Sequence, residues 1–232
     1  MKVTVVGASG LIGTKVVDSL EADGSDVVAA SRSSGVDVLT GAGLADALAG
    51  AEALVDVTNS PSFEAGPVME FFTTSATNLA DAARRAGVAH YVALSIVGVD
   101  GLPDSAYFRA KVAQEKIIAE SGIPYSIVRA TQFAEFTDAI IESMTVGNEV
   151  RVPDALIQPI PADQVASAVA RAAIGEPVNG IVNVGGPRQI TFEQMARDAL
   201  GRKGDTTRTI VVDAGARYFG AALATRSLLT PD

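Results

Sequence analysis

The chain has 232 residues, 48% of them hydrophobic, enough to bury one sizeable core, and no shift in composition marks a second domain. A formal charge of −9 argues against a body that grips nucleic acid or an anionic membrane, although a local basic pocket for a phosphate stays compatible with it. The absence of cysteine removes disulfides, thiolate nucleophiles and cysteine-based zinc sites.

The N-terminus carries one lysine and then a glycine-rich turn, and no stretch is long and apolar enough to span a bilayer, so the expectation is a soluble cytoplasmic protein, monomer or homodimer. Val3, Val5 and Val6 form a short β-branched run that stops at Gly7, and an amphipathic segment follows over 11–20. Gly7, Gly10 and Gly13 give G-x-x-G-x-x-G between the two, a variant of the dinucleotide fingerprint. Each glycine has a task there: a turn without Cβ, close backbone approach to a pyrophosphate, and a helix pressed on its strand. The free N–H groups and positive end of that helix would face the phosphates.

A second buried strand is expected over 27–30, ending in Ser31-Arg32-Ser33. A fold that prefers NAD places an acidic residue near this position for the ribose 2′-OH, whereas here a cation and hydroxyls stand there. Arg32 could hold a 2′-phosphate by a bidentate contact, which favours NADP(H) over NAD(H); the alternative is a solvated surface arginine. Residues 35–39 read as a short third strand, with Asp37-Val38 where an adenine would lie, or with Asp37 as a local cap.

A short helix over 44–48 and a strand over 53–57 follow, the latter running into Thr58-Asn59-Ser60-Pro61. Open α/β sheets bind ligands at the carboxyl ends of their strands, so Thr58 is a candidate lining residue, while Asn-Ser-Pro also suits plain turn chemistry. A long helix over 68–86, a strand over 91–94 ending before Ser95, a loop over 97–104, a helix over 105–121 and a strand over 125–129 continue the alternation. Beyond it the pattern loosens: helices over 133–144, 163–174 and 191–200, an extended stretch over 150–161, a strand over 180–184 and mixed signals from 201 onward. Residues 1–130 therefore read as a cofactor-binding core and 131–232 as substrate-side and C-terminal elements of one domain. Phe133, Phe136, Ile157 and Pro159 are candidates for either pocket lining or core.

Tyr107 and Lys111 stand four residues apart, so a helix puts them on one face. A nearby ammonium would lower the tyrosine pKa toward the range where a phenol trades protons, and Ser95 could polarise a substrate carbonyl. The bland reading of Tyr107 is packing on Phe108. His90, the only histidine, has no second ligand at metal spacing, so no metal is expected.

With these residues in view the chain resembles the short-chain dehydrogenase/reductase superfamily, and within it the atypical, NmrA-like NAD(P)-binding oxidoreductases. The likeness is carried by Gly7-Ala8-Ser9-Gly10-Leu11-Ile12-Gly13, Asp37, Val92-Ala93-Leu94-Ser95, Tyr107-x-x-x-Lys111 with Glu115, residues 121–129, and Gly185-Gly186-Pro187. It implies an α/β Rossmann-like, doubly wound parallel sheet with a small C-terminal substrate-side segment. It also implies NADP(H) held by Gly7, Ser9, Gly10, Leu11, Ile12, Gly13, Ser31, Arg32, Asp37 and Val38. The nicotinamide would lie near Thr58, Ser95 and Thr131, with Lys111 on the ribose. The implied activity is reduction of a small carbonyl, enone or quinone by a Ser95, Tyr107 and Lys111 set. The alternative is a non-catalytic NADP(H)-sensing module, as some NmrA-like proteins are. A sugar-nucleotide epimerase suits the glycine spacing, but the chain is short for the extra lobe of those enzymes.

Overall fold

A computed structural model describes residues 1–231. In chain order, β1 (Lys2–Val6), α1 (Leu11–Ala22), β2 (Asp26–Ala30), α2 (Leu44–Ala47), β3 (Ala53–Asp56), α3 (Ala65–Ala86), β4 (His90–Ile96), α4 (Ala106–Ala119) and β5 (Tyr125–Ala130) alternate. Then come α5 (Thr137–Ser143), β6 (Thr145–Val146), β7 (Glu149–Val152), β8 (Leu156–Ile157), α6 (Ala162–Ile174) and β9 (Gly180–Val184). β10 (Ile190–Thr191), α7 (Phe192–Lys203) and β11 (Thr209–Val212) complete the described elements. The helix ends follow local chemistry. Ser105 Oγ accepts from Phe108 N at 3.3 Å to start α4, Thr191 Oγ1 accepts from Gln194 N at 3.0 Å to start α7, and α3 stops at Gly87 in the left-handed region with Arg84 and Arg85 in its last turn.

The main sheet has six strands, all parallel, in the order β2-β1-β3-β4-β5-β9. It is Rossmann-like and doubly wound. Both faces are covered, which is why β1, β3 and β5 are buried along nearly their whole length, with polar Thr4, Ser126 and Arg129 buried among the apolar residues. On one face Val3, Val5, Val55, Val92 and Val128 pack with Ile12, Val16 and Leu20 of α1 and Val165 and Val169 of α6. On the other, Leu54, Tyr91 and Ala93 meet Phe72 and Leu79 of α3 and Ile118 of α4. A third cluster, with Phe108, Ile157, Phe192 and Tyr218, ties the C-terminal elements to the start of α4. From β1 the chain winds outward to β2, then crosses back to β3 on the other side of β1. The carboxyl ends of β1 and β3 therefore flank the switch point where open sheets bind ligands.

One expected strand is absent. Residues 35–39 form a loop, not a third strand, because their backbone groups bond within it: Val36 N to Ser31 O, Asp37 N to Ala42 O and Gly41 N to Asp37 O, at 2.8–3.0 Å. Gly35 at φ +86° turns the chain away from the sheet edge, and Val36 and Val38 bury their side chains in the core of that face. β2 is thus the sheet's outer strand on this side.

Candidate active site

The turn after β1 is built on steric necessity. Gly7 has φ +90°, and a Cβ there would lie 2.8 Å from Val57 O at the end of β3. A Cβ at Gly13 would lie 2.1 Å from Gly7 O, so α1 rests directly on the turn. Gly10 caps α1 in extended backbone with no side-chain hydrogen bond, and the first turn carries no acidic residue, which leaves the helix-start amides to an outside acceptor. Ser9 and Leu11 are exposed at this mouth, while Ile12 buries its side chain and offers only backbone. The cradle fits a pyrophosphate.

Ser31, Arg32, Ser33 and Ser34 follow β2 as a 3₁₀ turn spanning Arg32–Ser34, with Ser31 Oγ and Ser33 Oγ 2.7 Å apart and Arg32 exposed. Asp37 Oδ1 accepts from Leu39 N at 2.8 Å, so the carboxylate shapes its own loop. Val38 is buried, and its carbonyl accepts from Asn78 Nδ2 of α3 at 2.9 Å.

At the other end of the crevice lies a buried polar network that the sequence pattern did not single out. Asp56, 1% exposed at the end of β3, accepts from Thr58 Oγ1 at 2.7 Å, Tyr91 Oη at 3.2 Å and Gln114 Nε2 at 2.8 Å. Thr58 is therefore oriented by a carboxylate. Lys111 is 3% exposed, donates to Leu94 O at 2.8 Å and to Gln114 Oε1, and lies 4.6 Å from the Phe72 ring centroid. Burial lowers its pKa to about 8, with Asp56 and Glu115 acting against the shift. Ser95, near the end of β4, is buried, as is Gln132 just past β5, and among the described residues neither the Ser95 Oγ nor the two amide atoms of Gln132 has a hydrogen-bond partner. Thr131 Oγ1 accepts from Gly186 N at 3.3 Å and so fastens the turn after β9.

Tyr107 lies in the first turn of α4 and donates from Oη to Asn59 Oδ1 at 3.0 Å. The expected contact with Lys111 is not formed: among the described residues no hydrogen bond joins them. The expected fall in the tyrosine pKa is reversed as well, since burial pushes it up to about 12. The cause is packing. Phe63, Phe72, Phe108 and Phe219 surround the Tyr107 ring with centroids 5.2–5.9 Å away, while the ammonium one turn later dives beneath α4. Phe219 stands in the left-handed region at φ +47°, a strain of about 1–3 kcal/mol for a bulky residue, in a tight turn whose flanking Tyr218 and Ala221 exchange hydrogen bonds.

Other charged and aromatic residues near the site are held in structural contacts. Asp100 pairs with Arg129 at 3.1 Å and Asp104 with Arg217 at 3.4 Å, while Glu115 holds Arg129 through two hydrogen bonds. His90 Nε2 meets Ser126 Oγ at 2.9 Å. Ile157 is core, whereas Phe136 is exposed beside Phe133 with ring centroids 5.6 Å apart. Asn59 and Phe219 escaped sequence reading because a turn residue and a tail residue gain meaning only when folding sets them around Tyr107. Asp56 left a signal, a carboxylate closing an apolar strand.

A family model of NAD(P)H-binding domains matches residues 7–175. No curated protein sequence matches. Among solved structures, a Citrobacter sp. triphenylmethane reductase complexed with NADP(H) aligns at 19% identity over 92% of this chain and 79% of its own, with a TM-score of 0.68. An NADPH-dependent quinone oxidoreductase from Escherichia coli, complexed with NADPH, aligns at 21% over 91% and 77%, TM-score 0.66. A Thermus thermophilus UDP-glucose 4-epimerase complexed with NAD aligns at 18% over 91% and 86%, TM-score 0.70. At such identities the likeness is one of fold.

Proposed function

The chain belongs to the NAD(P)H-binding family, and on that premise we propose that it is an NADPH-dependent oxidoreductase of the short-chain dehydrogenase type, reducing a small carbonyl, enone or quinone. The observation that carries the reading is the Tyr107 hydroxyl, held by Asn59 in the turn that follows β3 at the switch-point end of the sheet. When bound, the reduced dinucleotide supplies a hydride. Gly7, Gly10 and Gly13 would take its pyrophosphate, and Arg32 with Ser31 would select the 2′-phosphate. Asp37 and Val38 would border the adenine, and Thr58 and Thr131 the nicotinamide.

Ser95 Oγ would orient the acceptor oxygen, and Tyr107 Oη would hold the proton that this oxygen takes up on reduction. A phenol near 12 can donate to the alkoxide left by hydride addition to a ketone or aldehyde, which is more basic still, whereas the hydroquinone anion left by a quinone is less basic and takes its proton from water. Lys111 is a positioning residue in this geometry, fixing Leu94 O and hence the adjoining Ser95; it reaches a ribose only by exchanging those partners. The reductases among the similar folds support this choice of chemistry.

A second reading, an NADP(H)-sensing module without turnover, draws on the divergence of Tyr107 and Lys111. Loss of NADPH absorbance over a panel of quinones, aldehydes, ketones and enones separates the two. Consumption supports the reductase, and tight NADPH binding without consumption supports the sensor.

A further inference from the structure

We propose that Phe63 and Phe219 are specificity-determining residues that seat a flat aromatic ring of the acceptor beside Tyr107; the inference rests on the reductase reading of the Tyr107 site. Phe63 is 53% exposed and Phe219 is 44% exposed, although their rings lie 5.2 Å and 5.8 Å from the Tyr107 ring and 5.5 Å from each other. They form an open aromatic ledge around the half-buried Tyr107, whose hydroxyl is the proton donor in this account.

The two rings reach this place from distant parts of the chain. Phe63 comes from the loop after β3, and Phe219 from a two-residue turn after β11. Tyr218 N to Ala221 O and Ala221 N to Tyr218 O, at 2.9 and 3.0 Å, close that turn, with Phe219 and Gly220 at φ +47° and +84°. Two positive φ values define a turn type that favours Asn-Gly, so a phenylalanine at its first position holds its ring outward against backbone preference. The base of the turn is firm: Tyr218 is buried with its ring 5.8 Å from Phe192, and Arg217 meets Asp104 at 3.4 Å.

What such a ledge favours is decided by ring chemistry. A flat aromatic gains stacked or edge contacts at the 4.5–7 Å spacings these rings already adopt among themselves. A small aliphatic carbonyl can use Ser95 and Tyr107 but has no face to offer. The occupant assigned is therefore the aromatic ring of the hydride acceptor, with 1,4-naphthoquinone as probe.

Phe219→Asn suits the positive φ while removing the ring, and Phe63→Ala removes the other face. Calorimetric affinity for 1,4-naphthoquinone is expected to fall about tenfold in Phe219→Asn and further in the double variant, with melting temperature preserved. The ratio of kcat/KM for naphthoquinone to that for a small aliphatic ketone is expected to fall by a similar factor. Naphthoquinone that binds the double variant as it binds the intact chain, or does not bind the intact chain, overturns the ledge. Dimerisation that disappears with the two rings overturns it too, in favour of a contact between copies. Ring-dependent binding without any NADPH consumption supports the ledge while removing the reductase reading, so the two failures are distinguishable.

Discussion

Tyr107 Oη donates to Asn59 Oδ1 at 3.0 Å, while Lys111 Nζ, one turn later on α4, donates to Leu94 O at 2.8 Å, so the polar ends of the pair diverge. The helix puts their Cα atoms on one face, but the aromatic cluster claims one side chain and the buried network under α4 claims the other.

That divergence has a pH signature. Burial holds the Lys111 pKa at about 8 against 10.5 in the open chain. Between those values the unfolded chain binds more protons than the folded one, so this residue's contribution to stability rises with pH. Below pH 8 the whole cost is present, about 3 kcal/mol at 1.4 per unit. Denaturant unfolding of the intact chain and Lys111→Met at pH 7 and pH 10 checks this. The intact chain is expected to gain on the variant at the higher pH, and an unchanged difference contradicts a desolvated ammonium.

Gly13→Ala puts a methyl 2.1 Å from Gly7 O and must push α1 off its turn. Loss of stability of about 1–3 kcal/mol is expected, together with NADPH affinity lowered at least tenfold in whatever population stays folded. Fluorescence titration with NADPH is the direct check.

Arg32→Ala is expected to weaken NADPH by about tenfold or more while leaving NADH within about a factor of two, because the proposed bidentate charge contact to the 2′-phosphate can be lost only with the former. Equal losses for the two cofactors assign Arg32 elsewhere.

Glu115 and Arg129 are each 8% exposed and joined by two hydrogen bonds, with Asp100 reaching Arg129 from the loop. Glu115→Ala leaves a buried guanidinium short of its main partner and should cost about 3–5 kcal/mol in a melting or denaturant experiment. Arg129→Met with Glu115→Leu should recover much of that loss.

The fold was readable because its signals are local. The buried strands carry short runs of β-branched and other apolar residues, and G-x-x-G-x-x-G can be placed by the strand before it and the helix after it. Residues 35–39 misled because Val36 and Val38 look strand-like, yet Asp37 and the glycines at 35, 41 and 43 bend them into a loop whose valines fill core. Helical spacing located Tyr107 and Lys111 on a common face but said nothing of where their ends point. Asn59 and Phe219 became visible only through tertiary assembly, since 160 residues separate them. Asp56 shows in the sequence only as a carboxylate closing a strand, while its role comes from assembly: four polar neighbours, Thr58, Tyr91, Gln114 and through it Lys111, depend on it.

The most direct test of the account is Tyr107→Phe, which removes the hydroxyl proposed as proton donor and keeps the ring in its cluster. Steady-state NADPH consumption with the best aldehyde or ketone acceptor, measured beside the NADPH dissociation constant, is expected to show turnover lowered by about 10²–10⁴-fold with cofactor affinity nearly intact. Turnover equal to that of the intact chain would contradict Tyr107 as the donor.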